Sequence, residues 1–196
     1  MTLTIQRSKP EEDIIEGCRK QQASAQRMLY ERHSGKMLGV CKRYIRDGSE
    51  AELVMVGGFV KIFQKINQFK GNGCFEGWVR RIMVNESLIY LRKNKYMYLE
   101  TDITELEEPD YDDMSSYLEV EDLLAIVQQL PAGYRMVFNL YAIEGYSHKE
   151  IAEQLDINVN TSKSQLSRAR KQLQKLLKER EDWEKSKVYN YEGFIR

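Results

Sequence analysis

Between Glu11 and about Arg32, the apolar or small residues Ile14, Ile15, Cys18, Ala25, Met28 and Leu29 fall on one side of a helix, because steps of three and four return to the same face. The same spacing predicts a second helix from about Ser34 to Ile45 and a third from Ser49 to about Ile66. After the loop "NQFKGNG" it predicts a fourth from Phe75 to about Lys95. Four such helices can close around one core. From Tyr98 the segment "YLETDITELEEPDYDDMSSYLEVED" keeps no period, so it reads as a flexible connector. A fresh core begins with Leu123, Leu124, Ile126, Val127 and Leu130. Pro131 suits the start of the next helix, which carries Val137, Phe138, Leu140, Tyr141 and Ile143 and stops at Gly145. "SHKE" at 147 to 150 has the form of a capping box. It opens a short helix to about Leu155, and after a turn a long helix runs from about Asn158 past Leu177.

Length and composition agree with two small helical units. The chain has 196 residues and 23.1 kDa, with 42% hydrophobic and 31% charged residues and three prolines, a helix-rich and foldable mixture. The expected fold is all-α, with a four-helix domain over 1–97, an acidic flexible linker over 98–122, a second helical domain over 123–180 and an extension over 181–196. No apolar run approaches the ~18 residues of a membrane span, and "MTLTIQRSKPEEDIIEG" lacks the apolar core of a secretory signal. A cytoplasmic protein is expected. Cys18, Cys41 and Cys74 are odd in number and make no metal spacing with His33 or His148, so reduced and mostly packed thiols are expected. No nucleophile elbow, phosphate-binding glycine loop or paired metal histidines occur, and neither an enzyme nor a cofactor is expected.

Charge changes the picture. Residues 1–97 hold 18 Lys and Arg against 10 Asp and Glu, residues 98–122 hold none against 11, and residues 123–180 hold 9 against 5. Two basic units flanking an acidic connector point to a polyanion as their partner.

In the second unit, "SHKEIAEQLDINVNTSKSQLSRARKQLQKLL" sets a short helix against a longer one after a tight turn, the arrangement of a helix-turn-helix. Asp156 stands where such turns often hold glycine, and aspartate tolerates the left-handed conformation well. Leu166, Ala169, Leu173 and Leu176 carry the inward spacing. Thr161, Ser162, Lys163, Ser164, Gln165 and Arg168 crowd the N-terminal half, with Lys171 one turn on. Hydroxyls there suit phosphates, and Lys163, Gln165 and Arg168 suit base edges in the major groove. Such residues also solvate ordinary surface helices. It is their coincidence with the capping box and the turn that points to duplex DNA.

In the first unit, "FKGNGCFEGWVRRIMVN" mixes rings, glycines and guanidiniums. Trp78, Arg81, Asn85 and Arg92 share an arc of the predicted helix, whereas Val79, Ile82 and Met83 point toward a core and Phe75 is read as core. A ring, an amide and cations on one face can hold an unpaired strand. Gly71 and Gly73 free the preceding loop, so that its backbone and Asn72 can close on a base turned out of the stack.

"GFVKIFQKINQFKGNGCFEGWVRRIMVN" followed by "LRKNK", and later "YRMVFNLYAIEGYSHKEIAEQLDI" with "TSKSQLSRARKQLQKLL", resemble the two domains of the extracytoplasmic-function sigma factors of bacterial RNA polymerase, in a form common in Bacteroidetes. The resemblance covers about residues 11–178. It implies a non-catalytic initiation factor whose first domain holds core polymerase and the melted minus-ten element, and whose second reads the minus-thirty-five duplex. It assigns Phe69, Lys70, Gly71, Asn72 and Gly73 to a base-pocketing loop, Trp78 and Arg81 to the melting fork and Asn85 to a base- or backbone-contacting position, with Arg80 and Arg92 also expected on the minus-ten strand. Thr161 to Gln165, Arg168 and Lys171 become recognition-helix positions. Core polymerase, promoter DNA and an anti-sigma factor are the implied partners.

One segment departs from that family. Where its members carry acidic and Gln-Glu groups facing polymerase, this chain has "EAELVMVGG", which leaves Leu53, Val56, Phe59, Val60 and Phe63 as the docking residues. Val54, Met55 and Val56 in succession cannot all face inward on one helix. Gly57 and Gly58 each weaken that helix, and Glu86 sits where a small residue is common. Altered partner use is one consequence: a sigma-like adaptor or decoy, or a sigma factor recruited by another DNA-bound protein, even an RNA-guided one. A stand-alone helix-turn-helix regulator would have little use for a single-strand face. The tail, with Trp183, Tyr189, Tyr191 and Phe194, either packs on the second domain or engages a partner.

Overall fold

The structure is a computed structural model that describes the backbone of residues 10–94 and 120–192 and the side chains of 10–94 and 124–180. Most of the predicted connector and the tail aromatics lie outside the described side chains. All regular structure among the described residues is helical, and the chain divides between Tyr90 and Leu91 into two compact units.

The first unit is built on α1 (Glu11–Arg19), α2 (Ala23–Tyr44), α3 (Gly48–Lys65) and all but the last turn of α4 (Phe75–Lys93), with a 3-10 turn at Ile66–Gln68. The expected helix over 11–32 is in fact two. Gln21 adopts a left-handed φ of 55°, while Gln21 N–H bonds to the Cys18 carbonyl and Gln22 N–H to that of Gly17, ending α1 abruptly. Gly17 lets the helices meet closely at this corner, since a Cβ there would stand 2.6 Å from Ala25 Cβ. The boundary expected near Ser34 is absent. Leu29, His33, Met37, Val40, Cys41 and Tyr44 are all buried at steps of three and four, so burial carries α2 through "HSG".

In α3 the Asp47 carboxylate caps the first turn by accepting Glu50 N–H at 2.8 Å. Ala51, Val54, Met55, Phe59 and Ile62 face inward and Val56 faces out, as the crowding of three successive apolar residues requires. The two adjacent glycines differ. A methyl on Gly58 would run into the Met83 thioether of α4, whereas nothing lies near Gly57. Glu86, unusual by sequence, is half-buried and paired to Lys61 of α3 at 2.6 Å. The fully buried Ser87 hydroxyl donates to the Met83 carbonyl at 2.9 Å and also faces the Cys41 thiol.

The second unit contains α5 (Val120–Gln128), α6 (Ala132–Phe138), a π-helical turn (Asn139–Ile143), α7 (His148–Leu155) and α8 (Val159–Glu192). Pro131 is the N-cap of α6, one residue before the first helical position. Ile126, Leu130, Ala169 and Leu173 form a core, with Val127, Tyr134, Phe138, Leu176 and Leu177 against it. Arg135 is buried, yet its Nη1 donates to the carbonyls of Gln128 at 3.1 Å and Leu130 at 2.8 Å. It places donors and a charge of the favourable sign at the C-terminal end of α5. Gly145, at φ 78°, turns the chain into α7.

The contrast between the two glycines predicts that Gly57→Ala raises the thermal stability of the chain by about 1 kcal/mol, the helix-propensity difference. Gly58→Ala should gain less or lose stability, because Met83 must swing away. Denaturant melts of both variants beside the parent check this, and equal gains would contradict it.

Candidate nucleic-acid interfaces

The loop before α4 is held from two sides. Gly71 and Gly73 take φ of 76° and 106°, conformations that L side chains resist, and Gly73 N–H bonds to the Gly71 carbonyl at 3.1 Å. Arg19 of α1 reaches across and donates to the Phe69 carbonyl at 2.7 Å. Beside this loop three rings meet. Phe75 is buried and lies 5.8 Å from Trp78 at an interplanar angle of 28°, while Phe69 stands edge-on to Phe75 at 5.0 Å and tilted to Trp78 at 5.7 Å. Phe69 and Trp78 are half-buried. A groove of about 400 Å³ opens here, lined by Gln68, Phe69, Lys70, Asn72, Gly73, Cys74, Gly77, Trp78 and Arg81.

Arg81, Asn85 and Arg92 are exposed and follow Trp78 by three, seven and fourteen residues, which at 100° per residue keeps them within one arc of α4. Arg80 does not share it. Two residues after Trp78, it is turned about 200° away and acts instead on Glu76. Glu76 is also paired to Lys36 at 2.8 Å, which holds its carboxyl below the usual range.

On α3, Leu53, Val56 and Val60 are 69%, 43% and 50% exposed and line one side at steps of three and four. Phe59 is not part of this face. It is 2% exposed and packs edge-on against Tyr30 at 4.8 Å, because its place in the helix belongs to the inward stripe. Phe63 is half-buried.

The helix-turn-helix geometry is present in the second unit. Ser147 Oγ accepts Glu150 N–H at 3.3 Å, Glu150 Oε2 accepts Ser147 N–H at 2.8 Å, and Asp156 takes the left-handed φ of 55° and ψ of 49°. Ser162, Leu166, Ala169 and Leu173 face inward along α8. Ser162 was expected at the DNA surface, but it is fully buried, with its hydroxyl 3.0 Å from His148 Nδ1. The remaining positions also separate. Thr161, Ser164, Arg168 and Lys171 fall on one outer arc, whereas Lys163 lies on the flank toward α7. Gln165 lies over Gly133 of α6, its Nε2 3.3 Å from where a Cβ on that glycine would stand.

Three residues on the α7 flank were not singled out from sequence as DNA contacts. The Tyr141 ring stacks on His148 at 4.6 Å and 24°, and the Arg170 guanidinium lies 5.7 Å from the Tyr141 centroid. The spacing of seven between Lys163 and Arg170 was the available signal. Among the described residues no group of three His, Cys, Asp or Glu is placed to hold a metal, and no helix is long and apolar enough to cross a membrane.

Comparison with known proteins matches residues 29–96 to the family "Sigma-70 region 2" and residues 120–173 to "Sigma-70, region 4". The chain is 26% identical over 181 residues to the RNA polymerase sigma-H factor of Pseudomonas aeruginosa, covering 85% of this chain and 93% of that protein. It is 27% identical over 170 residues to the ECF RNA polymerase sigma-E factor of Escherichia coli K12, covering 80% and 88%. Among solved structures it is similar to CnrH in complex with the cytosolic domain of CnrY, at 21% identity, coverage of 86% and 97%, and a TM-score of 0.47. A second is the sigma factor RpoE bound to the anti-sigma factor NepR from Bartonella quintana, at 21% identity, coverage of 78% and 96%, and a TM-score of 0.49.

The three thiols differ in a way that reports on the groove. Cys18 and Cys41 are buried, and burial raises both, Cys41 to about 11, while Cys74 is exposed at the groove wall. Brief maleimide treatment at about pH 7.5 should label Cys74 first and leave the other two until the chain is denatured. Peptide mass spectrometry checks this, and labelling of all three at one rate would contradict the buried positions.

Proposed function

This chain belongs to the extracytoplasmic-function sigma factors of the sigma-70 family, and from that premise we propose that it brings core RNA polymerase to promoters and holds the melted minus-ten strand in the groove beside Trp78. The observation that carries this reading is the conjunction of a ring platform, a glycine-shaped loop and an exposed cation and amide on one face of the first unit. A base leaving the duplex loses its stacking partners, and a supported ring returns ~1 to 3 kcal/mol of that loss. Asn72 supplies donors and acceptors for the base edge, while Arg81, Asn85 and Arg92 follow the backbone.

In the second unit, Thr161, Ser164, Arg168 and Lys171 face the minus-thirty-five duplex, with Lys163 and Gln165 on either flank. The chain itself carries out no covalent step, and synthesis stays in the polymerase. Leu53, Val56 and Val60 form the docking face for core polymerase, an apolar contact in place of a charged one. An anti-sigma factor is the expected restraint, and the cytoplasm is where all these partners meet. The same exposed stripe favours a second reading, in which another DNA-bound protein recruits the chain and raises its local concentration at a promoter.

Transcription with purified core polymerase on a promoter library tests both. RNA from the two-component mixture supports the first reading, and strict dependence on a third component supports the second. Trp78→Ala with Arg81→Ala should lower open-complex formation at least tenfold while leaving polymerase association intact. Leu53→Asp with Val60→Asp should do the reverse, weakening association without lowering the melting temperature. Full promoter opening by the first pair would sink the strand-holding role.

A further inference from the structure

We propose that His148, stacked on Tyr141 and flanked by Lys163 and Arg170, closes as an imidazolium on a backbone phosphate of duplex DNA, so that binding takes up a proton. This rests on the second unit being a duplex binder and adds a contact outside the outer arc of α8.

The ring is fixed before any ligand arrives. One face is covered by Tyr141, and Nδ1 lies 3.0 Å from the buried Ser162 hydroxyl. A hydroxyl can donate to the neutral ring or accept from the protonated one, so that bond survives either state and leaves Nε2 to meet a ligand. Burial, then Lys163, then Arg170 all disfavour the charged ring and hold its pKa below the ordinary histidine value. The groups facing it from other elements are the Tyr141 phenol of the π-helical turn and these two cations of α8. On its own helix Lys149 is exposed, and the Glu150 carboxylate is turned back onto Ser147.

Two fixed cations around a ring that can become a third make a poor arrangement alone and a good one around an anion. A phosphodiester answers that need, because in helix-turn-helix docking the first helix crosses the DNA backbone and His148 is the first residue of α7. A phosphate offsets Lys163 and Arg170 and attracts the proton, raising the ring's pKa in the complex. Affinity is therefore highest below the free chain's His148 value. It falls as pH rises through the window up to the higher value in the complex, and above that the contribution is gone.

The test uses the full chain and a mixed-sequence duplex of about 30 base pairs, followed by fluorescence anisotropy from about pH 5.5 to 8 at fixed ionic strength. Affinity should fall about tenfold across that range. His148→Gln should flatten the profile, match the parent at the alkaline end, and reduce the logarithmic salt slope at the acid end by about one. In the parent chain, which has two histidines, duplex should move the imidazole titration of His148 upward in NMR and leave that of His33 in place. Superimposable pH profiles for parent and variant, or a His148 titration unmoved by saturating duplex, would overturn the proposal. A parent chain that binds duplex at no pH or salt would overturn the duplex reading beneath it.

Discussion

The burial of Phe75 is the constraint on which the ring-lined face of the first unit depends. Because this ring belongs to the core, its neighbour Trp78 rests 5.8 Å away against a surface that cannot move, and Phe69 is wedged against both. A half-buried tryptophan without that backing would sample several rotamers, and ordering it would cost a ligand roughly 0.5 to 1.5 kcal/mol. The loop is fixed by the same economy. Two glycines in left-handed φ set its path, and the Arg19 bond to the Phe69 carbonyl ties it to α1. The groove is therefore formed without a ligand, and under the proposed function this lets weak stacking energies count toward opening the promoter.

In the second unit polar contacts fix the ends of helices that an apolar core holds together. The capping box starts α7, Asp156 ends it in a left-handed turn, and the His148–Ser162 contact joins α7 to α8 at the level where the recognition helix begins. Arg135 closes the end of α5 on the other side of the core. None of these groups is on the outer arc of α8. They help to set the angle at which that arc is presented, so on the proposed function a change at Arg135 or Ser147 would act on DNA reading through orientation.

Local signals written in the chain proved legible. The capping box, the tolerance of Asp156 for positive φ, the outward turn of Val56 and the burial of Phe75 all follow from one residue and its near neighbours. What could not be read depended on contacts between distant residues. The α1–α2 break lies at Lys20 to Gln22, where no proline or glycine marks it, and it is made possible by Gly17 meeting Ala25. Gly57 and Gly58 are indistinguishable in sequence, yet only the second is required by Met83. Ser162 and Ser164 are both hydroxyls in the same helical turn, but Ser162 lies four residues before Leu166 on the inward line, a spacing that its polar side chain masked in the sequence and that its burial against His148 reveals. The family resemblance put Phe59 and Val60 in one docking group, although adjacent residues on a helix differ by about 100° in direction.

The strengths of the separate surfaces explain why they occur in one chain. A base stacked on Trp78 returns ~1 to 3 kcal/mol, less than melting several base pairs requires, so the first unit cannot open DNA unaided. The second unit carries four more basic than acidic residues over 123–180, a modest excess with which to attract a polyanion. The apolar stripe of Leu53, Val56 and Val60 is a few side chains wide, small beside a stable interface. Under the proposed function each surface gains from the others, since joining them in one chain turns the second and third contacts into local events. On that proposed function, selectivity for promoters arises from simultaneity, because a sequence that satisfies only one unit holds the chain by one contact alone.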